Sequence, residues 1–251
     1  MSRHLTIDVE APEHLCRMDV PGFRPGEVLR DVEGWLEFLE GPGFRSTFFV
    51  LGEVALKEPA IARAIAVAGH EVASHGYRHR PVHRLSAGEF REDLARSRAL
   101  LEDQTGRPVR GYRSPAWTLG LAPNAYRTAV FEAGYAYSSS LLPATGFLRS
   151  STPADPREFP PCVWKCILFA IPAGTSWTFR LMPAARMARH LEREERHVLV
   201  SHAHEFSVGR PEAALGPGAS FIRYGGISGW REKLTGLLAP YVWTPLESLL
   251  R

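Results

Sequence analysis

The sequence is poor in several features that would mark it for a particular class. Only three of its 251 residues are cysteine (Cys16, Cys162 and Cys166), so no disulfide framework can form and at least one thiol stays unpaired within a chain. Cys162-x3-Cys166 has no second pair to complete a thiolate metal site and reads as ordinary buried thiols. No apolar run approaches the ~20 residues of a membrane span. Charge of one sign is scarce too: 30 Lys+Arg against 27 Asp+Glu leave a formal +3. With no basic run, nothing in that balance points to nucleic acid as a partner. Repeats, low-complexity tracts and long linkers are missing, so residues 1–251 are expected to form one domain. Met1-Ser2-Arg3-His4 runs straight into the strand-like Leu5-Thr6-Ile7-Asp8 with no leader pattern, which sets the expectation of a cytoplasmic protein.

What is present is a core-forming chain, 45% hydrophobic and 23% charged, which excludes a disordered or fibrous class. Its first two-thirds alternate strand and helix patterns. Strands are predicted at Leu5–Ile7, Ser46–Leu51, His70–Ser74, Val109–Tyr112 and Tyr135–Ser138. Between them, Val28, Val32, Trp35, Leu36 and Leu39 make one helical stripe, and Ala60–Ala68 reads as a helix stopped by Gly69. Ser86-Ala87-Gly88-Glu89 fits a capping box whose helix turns Phe90, Leu94, Ser97 and Leu101 inward and ends near Gly106, and Ala122–Ala133 follows as a further helix. Residues 141–180 read as β-hairpin and loop, Pro183–Arg193 as helix, and His197–Ser201 as strand. Gly229–Leu238 and Tyr241–Thr244 close the chain as helix and strand. This rhythm predicts an α/β fold on a parallel sheet, open or closed into a barrel.

In such folds chemistry collects at the C-terminal ends of strands. The first predicted strand ends in Asp8-Val9-Glu10, the third in Ser74-His75-Gly76-Tyr77-Arg78-His79, the fourth in Arg113-Ser114-Pro115-Ala116-Trp117, and a late one in His202-Ala203-His204-Glu205. His75 and His79, four apart, stack on one side of a helical turn, a spacing that chelates zinc but also suits two surface histidines. Glu10 reads equally as a ligand or a solvated loop residue. Asp8 is either a turn cap or a working carboxylate, with Arg113 its natural partner. His202 is either a core histidine or a functional one.

Several motifs in order carry a resemblance. Thr6-Ile7-Asp8-Val9-Glu10, Ser46-Thr47-Phe48-Phe49-Val50-Leu51-Gly52, Gly69-His70-Glu71-Val72-Ala73-Ser74-His75 with His79, Gly111-Tyr112-Arg113-Ser114-Pro115, Ser138-Ser139-Ser140 and Val200-Ser201-His202 resemble those of the polysaccharide deacetylase family, the NodB-homology carbohydrate esterases. The likeness spans about residues 5–205 and is nearest to intracellular members that accompany exopolysaccharide synthesis. It implies a distorted (β/α) barrel holding one divalent metal, most often zinc, with cobalt, nickel, manganese and iron as options. His75, His79 and Glu10 would be its ligands, Asp8 the general base, Arg113 the base's orienting partner, and His202 the general acid. Glu10 departs from the usual aspartate by one methylene. The acidic residue that orients the last histidine in many members has no clear match, and Glu205 is the nearest substitute.

The reaction so implied is hydrolysis of an N-acetyl group on an amino sugar or glycan, free or lipid- or nucleotide-linked, with a backbone N–H near Ala116 facing the oxyanion. Trp117 is the expected sugar platform. Trp164, Phe169, Trp177 and Phe179 are placed to stack on sugars or to pack the loop onto the barrel, and Arg180 to meet a phosphate or carboxylate. The rival readings are a deacylase of a small N-acyl metabolite or lipid-linked sugar, and a catalytically silent carbohydrate-binding scaffold. A site built on His202-x-His204, as in amidohydrolases, conflicts with the late position of that motif, and a two-His-one-carboxylate iron oxygenase conflicts with the βα rhythm.

Overall fold

A computed structural model describes residues 2–11, 14, 25–142, 155–165, 170–172, 176–193, 195–206 and 217–250. Six strands form one parallel sheet: β1 (Ser2–Val9), β2 (Thr47–Val50), β3 (Glu71–Ser74), β4 (Gly111–Tyr112), β5 (Tyr137–Ser138) and β8 (Arg196–His202). Their order is β5-β4-β3-β2-β1-β8. The curled sheet makes a half-barrel wrapped by helices, in line with the distorted (β/α) barrel expected. β1, between β2 and β8, is buried on both faces: Leu5, Ile7 and Val9 alternate along it with His4, Thr6 and Asp8.

The helices follow the periodicity. α1 (Glu27–Glu40) buries Val28, Val32, Trp35 and Leu39 against the sheet. α2 (Gly52–Lys57), which the sequence reading did not foresee, and α3 (Ala60–Val67) lead into β3. α4 (Ala87–Thr105) opens on the expected capping box: Ser86 Oγ accepts from the Glu89 amide, and Glu89 accepts from the Ser86 amide at 2.8 Å. It buries Phe90, Leu94, Ser97 and Leu101, and stops at Gly106 in the left-handed conformation, φ 64°. α5 (Asn124–Glu132) joins β4 to β5. A short antiparallel pair, β6 (Val163–Lys165) and β7 (Ala170–Pro172), lies in the region expected to hold a hairpin. α6 (Ser176–Leu181) and α7 (Ala184–Arg193) return the chain to β8, and α8 (Pro217–Tyr224) and α9 (Trp230–Leu238) follow.

One expected strand is replaced. Residues 241–244 make no strand, because they meet β1 only below the start of β2. There the Thr244 amide bonds the Arg3 carbonyl at 3.1 Å and the Arg45 amide bonds the Trp243 carbonyl at 3.2 Å. Pro245 has no amide to extend a ladder. The chain instead turns into a 3-10 helix, Leu246–Leu250, that closes the N-terminal end of the barrel. The Leu246 amide donates to Thr47 Oγ1 at 2.8 Å and the Glu247 amide to Glu71 at 3.1 Å, while Leu246 packs with Phe49, Ala73, Tyr137 and Val198.

Among the described residues no helix is long and apolar enough to cross a membrane. Cys16, Cys166 and Phe169, and the side chains of Trp164 and Trp177, lie outside the described residues.

Candidate active site

Parallel register is what assembles the site. Asp8 pairs in register with Phe49 of β2 and with His202 of β8, and Val50 with Ser74, so the polar residues that end these strands converge at one mouth of the sheet. Asp8 is 3% exposed and bonds the Arg113 guanidinium at 2.7 Å. Arg113 is fully buried, and its remaining donors are satisfied by Thr6 Oγ1 (2.9 Å) and Ser139 Oγ (2.9 Å), with the cation 4.0 Å above the Phe49 ring. Ser140 Oγ in turn accepts from the Ser114 amide at 2.9 Å. The serine run thus holds the arginine, and the arginine fixes one oxygen of Asp8.

Glu10 Oε1 sits between two imidazoles, 2.9 Å from His75 Nε2 and 3.2 Å from His79 Nε2. His75 Nδ1 lies 3.0 Å from the Arg113 carbonyl, the outer partner that leaves Nε2 to face Glu10. Burial opposes ionisation of Glu10, yet the two histidines hold its carboxyl well below the usual range. His79 mirrors it: burial lowers its pKa, but Glu10 raises it on balance.

The loop bearing the histidines is pinned from α4. Asp93 accepts from the Tyr77 amide at 2.9 Å and the Arg78 amide at 3.0 Å. Gly76 has φ 80°, and a Cβ there would meet Asp93 Oδ1 at 2.9 Å, so this tight turn requires glycine.

The donor atoms of Glu10, His75 and His79 lie within 4.8 Å of one another, as do those of Asp8, Glu10 and His202. His202 therefore joins the cluster from β8. A divalent ion fits the first trio on an observation independent of spacing. Glu10 Oε2 is buried with no hydrogen-bond partner among the described residues, an expensive state for a carboxylate oxygen unless a cation takes the lone pair.

The other expected site residues divide. Ala116 and Trp117 occupy consecutive left-handed conformations, φ 49° and 55°, which cost non-glycine residues of order 1–3 kcal/mol each and concentrate at functional sites. Ala116 is exposed, and the buried Trp117 Nε1 has no partner among the described residues. Arg180, expected to meet a substrate anion, is instead interior. It is paired with Glu205 at 2.9 Å, both side chains 0% exposed, and also donates to the Gly225 carbonyl at 2.8 Å. The same bond takes up an oxygen of Glu205, the proposed orienter of His202. A charge this deep needs a countercharge, and α6 and the 3-10 turn Ala203–Phe206 supply one another's. Phe179 packs edge-on against Trp230, 4.8 Å between centroids, as core and not as a sugar platform.

Thr6, Ser139 and Asp93 escaped the sequence reading as supports of the site. Thr6 and Ser139 lie inside the motifs, but only the fold shows that they flank a residue 107 and 26 positions away.

The curled parallel half-barrel is the fold of solved structures described as family 4 carbohydrate esterases. Solved structures of that fold superpose on nearly the whole chain. One is a peptidoglycan N-acetylglucosamine deacetylase, bound to a hydroxamate-type benzamide, with a TM-score of 0.57 and 15% identity, covering 99% of this chain and 87% of that one. Another, from Bacillus anthracis, is a family 4 pseudoenzyme, with a TM-score of 0.58 and 14% identity, covering 100% and 65%.

Within that class, the chain carries a polysaccharide deacetylase domain, matched over residues 30–138, followed by a domain of unknown function, DUF3473, matched over 135–251. The second region supplies β8, and with it His202. A peptidoglycan-N-acetylglucosamine deacetylase of Bacillus cereus is 31% identical over 93 residues, 37% of this chain. That match spans about a third (34%) of the relative's own length.

Proposed function

We propose that this protein is a metal-dependent N-deacetylase acting on an amino sugar or an amino-sugar glycan, as a single catalytic domain in the cytoplasm. The observation that carries this reading is the shared Glu10 oxygen between His75 and His79, with the second Glu10 oxygen unpartnered among the described residues, beside the Arg113-held Asp8. Glu10, His75 and His79 would hold the ion, zinc by the chemistry of two imidazoles and a carboxylate, and when bound it supplies Lewis acidity and an activated water.

The chain's own groups do the rest. Asp8 takes the proton of the attacking water, its second oxygen kept in place by Arg113. The backbone N–H at the strained Ala116 turn donates to the developing oxyanion, at no cost in reorganisation because the turn is already set. His202 delivers a proton to the departing nitrogen, since an amide anion is too basic to leave. Trp117, its indole N–H buried next to this turn, provides the sugar platform. If Trp117→Ala leaves KM and kcat as they were, that last role falls.

The test is acetate release by protein stripped of metal and reloaded with zinc, cobalt or nickel. The panel runs from N-acetylglucosamine through its oligomers to lipid- and nucleotide-linked forms and small N-acyl metabolites. Metal-dependent acetate release supports the reading and names the substrate. Release only from small or lipid-linked compounds moves it to that narrower class. A pseudoenzyme with this fold makes a silent carbohydrate-binding scaffold the specific rival; saccharide binding with no acetate release under any metal would establish it.

A further inference from the structure

A second cluster of metal-ligating side chains stands apart from the active site, at the N-terminal end of β8. His197 is fully buried near the start of that strand, and the strand runs from there to His202 at the opposite end. Cys162 reaches it from the segment that leads into β6, and His190 from the last turns of α7. Cys162 Sγ lies 3.3 Å from His197 Nδ1, the rings of His190 and His197 meet edge-on at 5.1 Å, and one donor atom from each of the three falls within 4.8 Å of the others. We propose that Cys162, His190 and His197 form a second site for a thiophilic divalent cation such as zinc, clamping the segment before the β6–β7 hairpin to α7 and β8.

Two distances carry this. His197 Nε2 lies 3.0 Å from the His190 backbone carbonyl. As the donor in that bond, Nε2 keeps the proton and leaves the Nδ1 lone pair aimed at the sulfur, the outer arrangement that ligating histidines show. The Sγ–Nδ1 separation is also close to the about 3.5 Å expected between a thiolate and an imidazole sharing a tetrahedral zinc at ~2.3 and ~2.1 Å, so closure needs only a small shift.

Two nearby cations have partners of their own. Arg196 offers the sulfur its backbone carbonyl at 3.4 Å while its guanidinium lies over the Phe159 ring, and the Arg3 guanidinium lies over the Tyr241 ring and donates to the Leu191 carbonyl. Cys162 and His190 are only half-buried, so a cation has a path in and room for water as a fourth ligand. On binding, the thiol proton goes to solvent and the thiolate, with two neutral imidazoles, balances much of the charge.

Cobalt titration of the full chain separates this site from the first, because only this one contains sulfur. The wild type is expected to develop thiolate-to-cobalt charge-transfer absorption in the near ultraviolet, and His75→Ala to keep it. Cys162→Ser should abolish the absorption, and His190→Ala, on the partly exposed face of α7, should weaken cobalt affinity by more than ~100-fold, beyond what outer-shell changes cost. Cobalt should raise the Tm of the wild type more than that of Cys162→Ser. Circular dichroism of Cys162→Ser and His190→Ala checks that each is folded; should one fail, the other decides. Saturation of the wild type without charge-transfer absorption, or absorption that survives in Cys162→Ser, would overturn the proposal.

Discussion

The two ends of the same parallel sheet solve one problem in opposite ways. Both bury carboxylates: Asp8 and Glu10 at the C-terminal mouth, Glu71 at the N-terminal floor. At the floor the chain satisfies its own charge, with Glu71 accepting from Thr47 Oγ1 (2.6 Å), Tyr137 OH (2.8 Å) and the Glu247 amide (3.1 Å). Burial, reinforced by the Glu247 carboxylate, still pushes Glu71 up to about 7. At the mouth the pairing is unfinished: Glu10 faces two imidazoles with one oxygen, and its other oxygen has no hydrogen-bond partner among the described residues. A self-satisfied polar cluster reads as architecture, an unfinished one as a place for a ligand.

That contrast can be broken or sharpened by substitution. His79→Ala should lose the first metal and all acetate release together; metal analysis showing full occupancy in that variant would remove His79 as a ligand. Asp8→Asn should keep the metal and lose ~10²–10⁴-fold in turnover, the usual worth of general-base help, and steady-state kinetics decide it.

Glu71 gives the corresponding effect at the floor, in stability and not in rate. Its folded pKa of about 7 lies above the unfolded value of 4.5, so the native state holds the proton longer. The stability is then present in full below about pH 4.5 and is lost as pH rises through 7, by roughly 3 kcal/mol. His70 and His197, both pushed down to about 4 by burial first of all, act oppositely in the acid range. The contribution is therefore isolated as the difference between wild type and Glu71→Gln in urea unfolding at pH 5 and 7.5. A pH dependence that Glu71→Gln leaves unaltered would count against it. The smallest effect is Ser86→Ala, which should cost about 1 kcal/mol by removing the α4 cap and leave acetate release unchanged, as a thermal melt and one assay would show.

The mouth was legible in the sequence because parallel strands put their C-terminal residues side by side. Asp8, Glu10, His75, Arg113 and His202 lie at or just past the ends of short β-forming runs that register sets side by side, whereas His79 sits on the loop pinned by Asp93; the residues themselves left their roles open, and the family resemblance supplied them. Helix periodicity and the Ser86–Glu89 box fixed α1 and α4 for the same local reason.

What was illegible depends on pairs distant along the chain. Arg180 stands in an aromatic-rich stretch that reads as a sugar-binding border, but its fate is set by Glu205, 25 residues on. The segment 241–244 is composed like a strand, yet only a gap below the start of β2 receives it. Cys162 looked like an ordinary thiol because its partners are histidines on two other elements.

The most direct measurement compares zinc binding and acetate release in Asp8→Asn and His79→Ala, both made in Cys162→Ser protein so that only the mouth is counted. The account predicts about one zinc retained by the aspartate variant, none by the histidine variant, and acetate release lost by both. Zinc kept by His79→Ala, or near-normal turnover in Asp8→Asn, would contradict it.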